Sequence, residues 1–189
     1  MRLKIEIRIV ILICWLPVTS YSQNNSTIHK INVVIPEVAL LGLVSDDATG
    51  ITLNSTSPSE AGNSVDFSSA KNNNIWINYS SIISGNTKKR KVIAMVQGEI
   101  PQGVKLTVEA SNFSGSGKGK LGETTGVTTL SNQPSDIIVG IGTCYTGKGI
   151  NNGHYLTYKL ETDGSSDDYA LLSQQQTSVN VIYTLTDFN

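Results

Sequence analysis

The residues that could do chemistry are few and far apart. Two histidines, His29 and His154, are the only candidate bases near neutral pH. Beyond the N-terminal apolar run the only thiol is Cys144. Acyl-transfer chemistry needs a nucleophile with a base held beside it and a third group orienting that base. Cys144 ends one apolar run and His154 opens an alternating one, so the two meet only if those strands pair. The expected state is a partly exposed strand histidine and a packed cysteine. G-x-S-x-G and H-E-x-x-H are both missing. The chain is therefore expected not to be an enzyme and to hold no cofactor.

Oxygen ligands cluster at Asp163-Gly164-Ser165-Ser166-Asp167-Asp168, at the spacing that opens a calcium loop. However, Asp168 stands where that loop has glycine, and Gln174 stands where it has a bidentate glutamate. An ordinary Asp/Gly/Ser turn without metal is expected. Asp46 and Asp47 would have to add carboxylates from a second loop. Gly115-Ser116-Gly117-Lys118-Gly119-Lys120 misses the spacing of a phosphate-binding loop and reads as a flexible connection.

Binding chemistry has two candidate sources. Lys88, Lys89, Arg90 and Lys91 form the only dense charge run. Such a run can contact an acidic polysaccharide or a lipid headgroup, or it can be a solvated turn that guards a strand edge. Aromatic residues make up only 6% of the chain, which restricts stacking surfaces to Trp76, Tyr79, Tyr145, Tyr155 and Tyr158. Alternation puts Tyr158 in the core. Trp76 is the best exposed candidate, with Tyr145 and Lys88, Lys89 and Arg90 as further contacts for a surface glycan.

The elements that must position these residues read as strands. Ser, Thr, Asn and Gly dominate beyond the leader, and helix formers such as Ala, Glu, Leu and Lys never cluster at helical spacing over ten residues. Residues 91–111 show the pattern best. Val104, Leu106, Val108 and Ala110 alternate with Lys105, Thr107, Glu109 and Ser111, the mark of a strand with one wet face. Pro101-Gln102-Gly103 before it predicts a tight turn and a hairpin with residues 92–96, which are apolar on both faces. Further strands are expected at 31–35, 38–44 (apolar on both faces), 51–53, 64–68, 75–83, 127–130, 136–145, 154–161 and 178–186. Residues 112–126 are expected to be a mobile loop, and residues 169–176 a short helical turn or a strand. In residues 136–145, Ile137, Val139 and Ile141 are expected to face the core, and Gly140 and Gly142 on the other face to permit close backbone approach or a bulge. Leaving aside the short run 51–53 and the weak run 64–68, this makes eight or nine strands without intervening helices, which argues for an all-β antiparallel sandwich.

The N-terminus carries Arg2, Lys4 and Arg8 ahead of a short apolar run, then Ser20-Tyr21-Ser22, which reads as a cleaved signal peptide over residues 1–22. Residues 23–189 are then one β-sandwich domain, exported to the periplasm, cell surface or medium. Without the four charges of the leader, the basic count falls from 14 to 11 and the acidic from 15 to 14, a net charge of −3. That balance excludes a nucleic-acid footprint. No second apolar run reaches membrane-spanning length.

Three features together resemble subunits of bacterial surface fibres assembled by a chaperone and usher. One is the alternating stretch Ile31, Val33, Ile35 after the leader. Another is Ile75-Trp76-Ile77-Asn78-Tyr79, followed by Val104-Lys105-Leu106-Thr107-Val108. The third is the closing strand with Val179, Val181, Tyr183 and Leu185 on one face. The resemblance implies an incomplete immunoglobulin-like sandwich whose missing strand comes from a chaperone and then from the N-terminal extension of the next subunit. It further implies a fimbrial, adhesive role with other subunits as partners. Ile31, Val33 and Ile35 would be the donor residues. The chain departs from that family in lacking a cysteine pair, in placing Phe188 out of phase with the closing strand, and in interrupting the donor stretch at Pro36. A secreted glycan- or cell-surface-binding module is the alternative reading.

Overall fold

The computed structural model describes residues 26–45, 50–85, 88–162 and 166–188. The expected leader, Asp46, Asp47 and the first half of the Asp163–Asp168 turn lie outside the described residues. The chain falls into two units, residues 1–34 and 35–189. In the first, residues 26–34 form neither helix nor strand.

The second unit is all-β and antiparallel. Its strands are β1 (Val38–Ser45), β2 (Lys71–Ile82), β3 (Arg90–Gln97), β4 (Lys105–Ala110), β5 (Lys118–Thr124), β6 (Val127–Thr129), β7 (Ser135–Tyr145), β8 (His154–Glu161) and β9 (Asn180–Asp187). One short helix, α1 (Ser166–Ala170), precedes β9. Pairing runs β6-β4-β8-β2-β7-β3-β9, with β1 added to β2 and β5 to β7. Two layers result, β1-β2-β8-β4-β6 and β5-β7-β3-β9. They join where Ser80 and Ser81 of β2 pair with Tyr145 and Cys144 of β7. The expected sandwich of eight or nine strands is borne out.

Alternation explains the core. Ile77 and Tyr79 of β2, Leu156 and Tyr158 of β8, and Leu106, Val108 and Ala110 of β4 face inward from one layer. Val92, Ala94 and Val96 of β3 and Ile137, Ile138 and Ile141 of β7 face them from the other. Fully burying each large aliphatic side chain contributes about 1.5–3 kcal/mol. Burial of Cys144 in this core agrees with its place at the end of an apolar run.

The expected hairpin over residues 91–111 is overturned. β3 pairs with β7 and β9, and β4 pairs with β6 and β8, so the turn carries the chain from one layer to the other. The inward sets of the two strands face each other across the core instead of lying side by side. Alternation alone cannot separate these cases, because both bury the same residues.

Residues 112–126 are not one loop, since β5 runs through them against β7. Gly119, in the left-handed region at φ +99°, lets β5 lie flat on Thr143 and Cys144, where a Cβ would clash. The register of β7 shifts near Gly140, at φ +74°, and the bulge puts Ile138 rather than Val139 in the core. β1, expected to be covered on both faces, pairs only with β2 and leaves Leu40 and Leu43 exposed. Residues 51–53 and 64–68 form no strands; a lone bridge joins Thr56 to Asp66. Ile51 and Leu53 still pack on the core from irregular backbone.

Candidate functional site

The candidate site is the edge of the sheet at β9. β9 pairs with β3 in unbroken register from Arg90↔Asp187 to Gln97↔Asn180. Among the described residues no strand lies on its other edge. Val179, Val181, Tyr183 and Leu185, expected on one face of the closing strand, all pack half-buried against the core. The hydroxyl of Tyr183 is hydrogen-bonded to that of Tyr158. Burial first, and then the neighbouring Tyr158, raise the Tyr183 pKa, so its phenol stays protonated.

The expected donor residues behave differently. Ile31, Val33 and Ile35 are 74%, 80% and 74% exposed and belong to no strand, contrary to the strand expected there. Ile28 and Val34 are exposed as well. The first strand starts at Val38, after Pro36, which has no N–H to give a ladder.

A buried arginine sits at the junction of β1 and β9. Arg90 shares the inward phase of Val92, Ala94 and Val96 and is 4% exposed. Its Nη2 donates to Glu37 Oε1 at 2.5 Å, and its Nε donates to Asp187 Oδ1 at 3.1 Å. Its Nη1 donates to the Val38 carbonyl, to Ser81 Oγ at 3.2 Å and to the Ile82 carbonyl at 3.5 Å. One guanidinium thus ties the root of the N-terminal segment, β1, β2 and the end of β9 to β3. Its fork of five donors suits the task.

The remaining expected surface contacts do not converge. Lys88 and Lys89 are exposed, Arg90 is buried, and Lys91 bonds Asp136 Oδ1 at 2.9 Å and lies 5.3 Å from the centre of the Phe188 ring. Trp76 is half-buried on the outer face of β2, edge-on to Tyr155 with ring centres 5.6 Å apart. Tyr145 is exposed opposite Ser80, about 13 Å further along β2 at strand rise. Between them the loop after β7 is pinned on Asn78, whose Oδ1 accepts from Gly149 N at 3.0 Å and whose Nδ2 donates to the Asn152 carbonyl.

His154 and Cys144 are not brought together by strand pairing, since β7 and β8 do not pair. Nor is His154 on the surface: it is 1% exposed. Its Nδ1 lies 2.7 Å from the Ser111 carbonyl and its Nε2 2.9 Å from the Tyr79 hydroxyl. A carbonyl only accepts, so Nδ1 carries a proton, while the single hydrogen of the Tyr79 hydroxyl faces two acceptors, the Leu121 carbonyl and the Nε2 of a neutral ring. Burial lowers the His154 pKa and favours that neutral form. Burial pushes the Cys144 thiol up to about 11, which leaves little thiolate at neutral pH. Among the described residues no three His, Cys, Asp or Glu side chains are grouped to hold a metal ion. No helix among them is long and apolar enough to cross a membrane.

Residue type hid the burial of Arg90 and His154, although each is in phase with an inward-facing set. No protein-family model, curated protein or solved structure matches the chain.

Proposed function

We propose that the chain is an exported structural or adhesive subunit of the bacterial surface that assembles by strand exchange. In this reading the segment carrying Ile31, Val33 and Ile35 lies along the open edge of β9 in another copy, or is met there first by a chaperone strand. One observation carries it: a segment with exposed apolar residues at alternate positions coexists with a sheet edge whose inward residues are only half-buried. Both sets have a period of two, so Ile31, Val33 and Ile35 can continue the apolar layer beside Val181, Tyr183 and Leu185 while the backbone completes the ladder. The reading assigns the chain no catalytic role.

The test is a disulfide trap. Asn32→Cys and Thr184→Cys, both on the outward phase, placed on separate copies form an intermolecular disulfide if the segment lies against β9. The expected result is a cross-linked pair from the mixture and a ladder from the chain carrying both changes. A monomer that resists unfolding and gives no cross-link at high concentration would overturn the reading.

A further inference from the structure

Lys71 on β2 and Lys159 on β8 are directly opposite each other in the antiparallel register. Directly opposed residues share a face of the sheet, with Cβ atoms about 5 Å apart, and like charges so placed repel. Among the described residues neither lysine forms an ion pair. Both line a groove of about 410 Å³, together with Phe67, Ser68, Ala70, Leu160, Glu161 and Thr162. Glu161, the one carboxylate in the lining, is directly opposite Lys105 of β4. The groove therefore presents two cationic groups at one spot, beside a phenyl ring and two hydroxyls.

We propose that this groove binds an acidic sugar through its carboxylate. The two ammonium groups would take the carboxylate from either side, as point charges that need no fixed geometry. Phe67 offers a ring for the C–H face of the pyranose, Thr162 offers a hydroxyl, and Ser68 Oγ, which donates to Asp66 Oδ2 at 2.9 Å, can accept from a sugar hydroxyl. The ligand removes the lysine–lysine repulsion, so the pair favours the bound state over the free one. This site lies away from the β9 edge and does not depend on strand exchange.

The experiment titrates the full chain with digalacturonate and with its uncharged counterpart, digalactose, by calorimetry at low and high salt. Digalacturonate should bind, and about tenfold more weakly when salt rises from 20 to 200 mM, while digalactose should not. Lys71→Met with Lys159→Met should lower digalacturonate affinity by at least about tenfold and raise the melting temperature of the free protein. Glu161→Gln should tighten binding. No heat with digalacturonate at about 10 mM would overturn the proposal, as would equal binding of digalactose or unchanged affinity in the double variant.

Discussion

Arg90 and His154 are both polar, both buried, and both on inward-facing strand positions, yet their surroundings are opposite. Arg90 remains charged because two half-exposed carboxylates, Glu37 and Asp187, reach it from the ends of other segments. His154 has neutral partners, the Tyr79 hydroxyl and the Ser111 and Leu121 carbonyls, and its ring stacks on Tyr79 with centres 5.8 Å apart. A buried permanent charge needs counter-charges, which ties distant elements together. A buried titratable group can instead shed its charge and be satisfied locally. The first cluster is thus sensitive to which charges surround it, and the second to pH.

The largest effect should come from stripping Arg90 of its counter-charges while keeping the guanidinium. Glu37→Gln with Asp187→Asn should destabilise the fold by about 3–5 kcal/mol in urea melts, whereas Arg90→Met should cost less than about 2 kcal/mol because no buried charge is left behind. Equal losses in the two variants would erase the distinction between the clusters. In the neutral cluster, Tyr79→Phe removes the hydroxyl that joins the Leu121 carbonyl and His154 Nε2 and should cost about 1–3 kcal/mol.

The pH response sharpens the contrast. The folded pKa of His154 lies below its unfolded value of 6.5, so the unfolded chain binds the proton first as pH falls. Stability from this group is complete above pH 6.5 and declines below it. Urea midpoints of His154→Gln should show less of that acid-side decline, while Arg90→Met should retain it. The smallest effect is expected at Cys144, buried near Tyr79. Cys144→Ala should cost on the order of 1 kcal/mol, and the native thiol should react with a disulfide reagent far more slowly than the unfolded one.

Much of the fold was legible, for a physical reason. The inward residues of β4, β8 and β9 follow a period of two that burial imposes on any half-wet strand. What the period does not encode is which strand lies alongside. That is why residues 91–111 read as a hairpin while β3 and β4 occupy different layers. β5 was hidden because Gly119 and Gly122 bear no side chain to mark a phase, and its close contact with β7 depends on that absence. At the candidate site, the inward phase of Val181, Tyr183 and Leu185 was readable, and so was the apolar alternation of Ile31, Val33 and Ile35 ahead of β1. The bare edge of β9 was not, because an edge is a property of pairing and not of composition. Arg90 and His154 were in phase with their buried neighbours, so phase was a better guide to their burial than residue type.

The contacts of Arg90 also bear on tension. β1 begins with the pair Val38↔Ile82, and Arg90 donates to the carbonyls of both residues. A pull transmitted through residue 37 would otherwise peel β1 from β2 one rung at a time, beginning at that pair. With the guanidinium fastened across it, the first rung cannot open unless the bonds to Glu37, Val38 and Ile82 yield together. The fork at which unzipping would start is also where the N-terminal segment leaves the sandwich. The buried arginine acts there as a stop on the zipper, and force entering the chain is shared with β3 and, through Asp187, with β9.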